Sequence, residues 1–168
     1  MSPKRKSRGP ARPLLSVLSW TGYATALVFL PIHFITHRLN PTSPDPPISD
    51  VGPAELDYEF VKLGLQRFPV RSWLLYTGLV FSVALHMADG VTIIWNAWFK
   101  TTTIDAWSSG ESGDVTRPRH RQLVAIIGGS MISVLAGLYV VSKEPSMIFS
   151  SMAKRFEAAF TRSLVYRI

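Results

Sequence analysis

Three stretches of this chain run without charge for longer than ordinary soluble helices do. Leu14–Thr36 holds 23 residues with no Asp, Glu, Lys or Arg, Trp73–Phe99 holds 27 with only Asp89, and Gln122–Ser142 holds 21 with none. A hydrocarbon core about 30 Å thick is crossed by roughly 20 helical residues, so each run is long enough to span it. Helices of soluble proteins average only about 10–14 residues, which argues against three buried soluble helices of this length. The expected fold class is an all-α membrane protein with a bundle of three transmembrane helices, over residues 14–38, 70–99 and 121–143. Cations bracket each run: Arg12 and Arg38, Arg71 and Lys100, Arg121 and Lys143. Such side chains reach from helix ends to the headgroups, and Trp73, Trp95 and Trp98 stand where indoles favour the interface.

Composition fits once it is read by position. Only 17% of the residues are charged, against about 25% in soluble domains. The 18 Lys and Arg outnumber 11 Asp and Glu, for a net charge of +7. A basic balance alone would suggest nucleic acid. Here the cations lie in tails and loops beside apolar runs, so the expected partner is the lipid bilayer and no nucleic acid is expected. The absence of cysteine excludes disulfides, thiolate metal sites, iron–sulfur ligation and cysteine nucleophiles.

The connections differ. Asn40-Pro-Thr-Ser-Pro-Asp-Pro-Pro47 cannot be helical, because proline lacks the donor and restricts the residue before it. Helical periodicity resumes between Gly52 and Phe68, with Leu56, Phe60, Leu63 and Leu65 on its apolar side and Pro69 ending it. This predicts a short helix lying on the membrane or capping the bundle. The second connection, with Ser108–Asp114 rich in Ser and Gly, reads as a solvent loop. Residues 144–168 form a predicted amphipathic helix that begins around Pro145, where proline suits a first turn. Phe149, Met152, Phe156, Phe160 and Leu164 make its stripe, with Lys154, Arg155 and Arg162 off it. Such a helix lies in the interface plane or docks on the loops.

Residues 1–13 read as a basic disordered N-terminus with Lys4, Arg5, Lys6, Arg8 and Arg12. An acid-poor, Arg-rich start suits a mitochondrial presequence, but Pro3, Pro10 and Pro13 break an amphipathic helix, so an anchor on anionic lipid fits equally. Orientation stays open, because the two sides of a three-span chain carry nine Lys and Arg each.

Ionisable groups inside a span are functional candidates. His86 and Asp89 stand three apart on the second run, where the carboxylate can orient the imidazole. Gly78, Ser82 and Gly90 continue the row through His86 and make a thin face, suited to a helix seam or to a flat porphyrin. Gly22 on the first run and Gly129, Ser133 and Gly137 on the third are packing candidates. His86 is either a histidine bonded within the bundle or an axial ligand of haem b. His33 and His37, four apart at the end of the first run, form a conceivable metal pair, although Arg38 beside them places His37 at the headgroups. A haem clamped between His33 and His86 would be strained, because opposing axial ligands should lie nearly level. His33 lies about 7 Å into the membrane and His86 about 20 Å, at 1.5 Å per residue. The residues level with His86 are near Tyr23, so a second axial ligand would come from a second membrane subunit or another copy of the chain.

Two resemblances rest on these residues. His86-Met-Ala-Asp-Gly90, Thr21-Gly22 and Ile132-Ser-Val-Leu-Ala-Gly-Leu138 resemble the cytochrome b subunit of succinate dehydrogenase, which implies a haem-binding membrane anchor of a quinone oxidoreductase. That family carries His-Arg-x-Ser/Thr-Gly on its first helix, and Leu18-Ser-Trp-Thr-Gly22 lacks its ubiquinone-associated arginine. Over roughly Ser16–Val141 the chain also resembles the transmembrane domain of fungal mitochondrial adaptor proteins, the MCP family. The shared features are Thr21-Gly22, His33-Phe-Ile-Thr-His-Arg38, Leu56-Asp-Tyr-Glu-Phe60, Phe68-Pro-Val70 and His86. This resemblance implies a mitochondrial, outer-membrane protein of lipid homeostasis that recruits a bridge-like lipid-transfer protein through a Pro-x-Pro motif. Pro44-Asp45-Pro46 matches that motif, and a turn-rich linker explains it equally. With no nucleophile constellation or phosphate-binding glycine loop in the sequence, the leading expectation is a non-enzymatic adaptor.

Overall fold

A computed structural model describes residues 17–98 and 116–167, and every regular element among them is helical. The basic N-terminus, the first residues of the first run and the Ser108–Asp114 loop lie outside the described residues. Three helices are long and apolar enough to cross a membrane: Leu18–Leu39, Pro69–Val91 and Ala125–Lys143.

The first span is one rod with alternating winding: α1 (Val17–Tyr23), a π stretch Ala24–Phe29, α2 (Leu30–Phe34) and a second π stretch Ile35–Leu39. Pro31 accounts for the first stretch. It has no N–H to offer the Leu27 carbonyl and its ring crowds that group, so a wider turn just before it relieves both. The second stretch ends on a five-residue bond in which Asn40 N–H donates to the Ile35 carbonyl at 2.8 Å.

The loop after this span is tightly folded. Asp50 N–H donates to the Ser43 carbonyl and Val51 N–H to that of Pro41, both at 2.8 Å, across left-handed Ser49 and Asp50. Helix α3 (Tyr58–Arg67) starts at Asp57, whose carboxylate accepts the Glu59 N–H at 2.9 Å as an N-cap. Pro69 separates α3 from α4 (Pro69–Trp98) and occupies the first turn of α4, where a missing donor costs nothing. Helix α5 (Thr116–Lys143) is the third span and begins earlier than the apolar run.

The tail departs from expectation. Pro145 lies in a non-helical link, and α6 starts only at Ser150, running to Arg162 before a short α7 (Leu164–Arg167). The amphipathic stripe divides. Phe156, Ala159 and Phe160 are buried against Ile48, Val51, Phe60 and Tyr166, forming the protein's one described apolar core cluster. Phe149 and Leu164, at the stripe's ends, stay exposed. The docked alternative therefore holds for the middle of the stripe: the Pro-rich loop, α3, α6 and α7 form a cap over one end of the bundle. Phe60 and Phe160 stack with centroids 4.4 Å apart, and the missing side chain of Gly64 makes room, since a Cβ there would lie 2.6 Å from the Phe160 ring.

Candidate functional site

His86 does not pair with Asp89. Its Nδ1 lies 3.1 Å from the Leu18 carbonyl of the first span, which accepts the imidazole N–H. Sharing a helix face was not enough to bring the two together, because the imidazole turns instead towards Gly22, into the space that residue leaves. A Cβ on Gly22 would sit 2.9 Å from Cε1 of the ring. The seam of the first two spans continues at Gly78, where a Cβ would overlap the Phe29 ring, and at Ser82, which is buried and donates to its own Leu79 carbonyl at 3.1 Å. Gly22 and Gly78 each leave room for a ring from the facing span. At Gly90, Gly129 and Gly137 a Cβ would meet nothing within 4 Å among the described residues, and Ser133 is exposed and donates to the Gly129 carbonyl at 2.9 Å. The third span turns this row away from its neighbours and buries Ile127 instead.

At the other end of the bundle the cap covers His37, which the position of Arg38 had suggested for the headgroups. Its ring stacks on His33 with centroids 4.3 Å apart, and its Nε2 lies 3.0 Å from the Tyr76 hydroxyl. Phe60 and Phe160 stand edge-on to it at 5.3 and 6.0 Å. No group of three metal-ligating His, Cys, Asp or Glu occurs among the described residues. Tyr76 and Thr36 escaped sequence reasoning because neither is charged; their positions on facing spans were the only signal.

The Pro-rich loop is where the basic tail comes to rest. Arg162 Nη1 donates to Ser43 Oγ and to Asp45 Oδ2, both at 2.8 Å. Arg155 donates to the Ile48 carbonyl at 2.8 Å and the Ser49 carbonyl at 3.1 Å and pairs with Glu55 at 3.3 Å. Asn40 Nδ2 donates to the Ala159 carbonyl at 3.0 Å. Two tail cations expected to face lipid headgroups therefore hold the loop, leaving Pro44, Asp45, Pro46 and Pro47 exposed on an ordered turn. The hydrogen bond from Arg162, helped by Ser43, holds the Asp45 carboxyl below the usual carboxylate range.

A buried ion pair within α3 holds the link that follows the third span. Lys62, 2% exposed, lies 2.7 Å from Glu59 and 3.4 Å from Glu144, and donates to the Pro145 carbonyl at 3.3 Å. Glu59 also accepts the Met147 N–H at 3.3 Å. The hydrogen bond from Lys62 lowers the Glu59 pKa despite its burial, and the same bond raises that of Lys62.

A family model described as MDM10-complementing protein 1, transmembrane domain, matches residues 28–155, well over half of the chain. The chain belongs to that family. The match takes in the His33–His37 pair, the Pro-rich loop, α3, α4, α5 and the start of α6, while the first turns of the first span and the rest of α6 and α7 lie outside it. No curated protein and no solved structure matches the chain. With three spanning helices, this member of the family is a membrane protein.

Proposed function

We propose that the chain is a multi-pass mitochondrial membrane adaptor, seated in the outer membrane, that acts in lipid homeostasis by bringing a bridge-like lipid-transfer protein to the organelle. Membership of the MDM10-complementing protein 1 family carries this reading. The cap supports it physically: Pro44-Asp45-Pro46 is displayed on a turn whose backbone is held from behind by α6. Prolines already fixed in a turn dock with little further loss of conformational entropy, which suits recognition by an aromatic-lined groove. In cells, tagged chain should fractionate with mitochondria and resist alkaline extraction. Replacing Pro44 and Pro46 by Ala should release the lipid-transfer protein from mitochondria; undiminished recruitment removes the motif from the reading.

One observation favours a second reading, a haem b-binding anchor subunit. The Leu18 carbonyl takes the Nδ1–H of His86, which fixes the tautomer and leaves the Nε2 lone pair as a donor, as in histidines that ligate iron. His33 and His37 stand by Tyr76, about 15 Å along the second span at 1.5 Å per residue, so they cannot oppose His86. The opposing ligand would come from a second membrane subunit or a second copy of the chain. Haem there would supply one-electron transfer. A reducible Soret band in the detergent-purified chain, lost in His86→Ala, is the expected result; a colourless protein ends this reading.

A further inference from the structure

The first span carries a polar cluster that neither functional reading uses. His33, Thr36 and His37 lie near its end, the last two within the second π stretch, and π turns concentrate where a helix is adapted to a task. Against them, from α4, stands Tyr76. These four side chains, with Phe29 and Leu75 among the apolar walls, line a small, partly open cavity of about 10 Å³. Thr36 is only 1% exposed, and its hydroxyl is the sole buried side-chain polar atom among the described residues that has no hydrogen-bond partner. Other buried polar groups here are paired, such as Ser72 to the Gly64 carbonyl at 2.7 Å and Lys62 to Glu59 at 2.7 Å. The Thr36 hydroxyl is the exception.

A buried hydroxyl left unpaired costs stability, and proteins fill such places with ordered water when there is room and a second polar partner. A cavity of roughly 10–15 Å³ is the lower limit for one water, which then needs two to four polar partners. The cluster meets both conditions. We infer that this cavity is an internal binding site for a single water molecule, held by Thr36 Oγ and the His33–His37–Tyr76 cluster where the first two spans meet beneath the cap. A divalent metal ion fits less well. No carboxylate lines the cavity, and a dication would face neutral donors only, in surroundings that penalise an uncompensated charge. The water would bridge the π stretch to α4 directly below Phe60 and Phe160, which pack on His37.

The sign of one substitution separates a hydrated hydroxyl from a dry one. In the full chain, Thr36→Val keeps the side-chain shape and removes the oxygen. If the water is bound, the melting temperature of this variant falls by about 2–4 °C. A rise, or no change, in Thr36→Val means the hydroxyl was a dry orphan and overturns the inference. In lipid nanodiscs, magnetisation transfer from water should reach the His33 or His37 ring protons of the wild-type chain and weaken in Thr36→Val. Should that variant fail to fold, the wild-type spectrum decides alone, and no transfer to either ring overturns the inference. Stoichiometric Zn²⁺ that shifts both imidazoles together overturns it in favour of a metal site.

Discussion

The cap and the third span come from one chain and solve opposite problems. In the cap, Phe60, Phe156 and Phe160 are fully buried, and its ionic groups reach one another across loop, α3 and α6. On the third span, Ile126, Ile132, Val134 and Val140 are exposed, and Gly128, Gly129 and Gly137 meet no side chain. In water an apolar stripe must be covered by protein, because the hydrophobic effect drives it there. In lipid no such drive exists between helices, since the acyl chains are as apolar as leucine. A row of exposed aliphatic side chains is therefore an ordinary lipid contact on the third span, whereas the cap hides its aromatic centre.

That contrast can be broken or sharpened by substitution. The largest effect is expected from Phe160→Ala, which empties the centre of the cap core and should cost about 3–5 kcal/mol. Thermal unfolding, with proteolysis of α6 as the local probe, reads it; a loss below about 1 kcal/mol would mean the cap is not a packed unit. Next comes Gly78→Ala on the seam of the first two spans, where the new Cβ overlaps Phe29. Overpacking of this kind costs about 1–3 kcal/mol, so the spans should separate at lower detergent or denaturant stress.

Acid should act on the cap before the spans. Glu59 and Asp45 have lowered pKa values, so their contribution is complete above the ordinary carboxylate range and is lost as pH falls through the folded values. The raised Lys62 acts in the opposite sense: its share is present below the ordinary lysine value and disappears only in strong alkali. Between these limits the latch is intact. The hydrogen-exchange protection of Met147, whose N–H donates to Glu59, should fall on acidification ahead of that of amides in α4. The exposed Arg162–Asp45 pair contributes little, being screened by solvent. The smallest effect is expected from Gly137→Leu on the open row of the third span, within about 0.5 kcal/mol for the single chain. A large loss of assembly by cross-linking or native electrophoresis would instead place a second copy or another subunit on that row.

Much of the fold was legible because lipid imposes a simple rule on composition. A helix that crosses must be long and nearly uncharged, and each of the three runs overlaps one of the three spanning helices. The cap helix before Pro69 was legible for the same kind of reason, with apolar residues at helical spacing and a proline at its close. The site was less legible. Sequence placed His86 and Asp89 on one face, but which neighbour the imidazole meets depends on the space Gly22 leaves on another span. The tail's cations looked like lipid anchors because their carbonyl, hydroxyl and carboxylate partners lie 100 or more positions away along the chain.

By itself, the sequence determined that the chain is helical, crosses a membrane three times and gathers its charge outside the spans, since these follow from local composition and the thickness of hydrocarbon. Tertiary structure alone decided that the tail closes over the first loop, that His37 lies beneath a cap, and that the glycine row of the third span remains open. Each of these depends on which apolar and polar groups find one another across long separations, and periodicity carries no record of that choice.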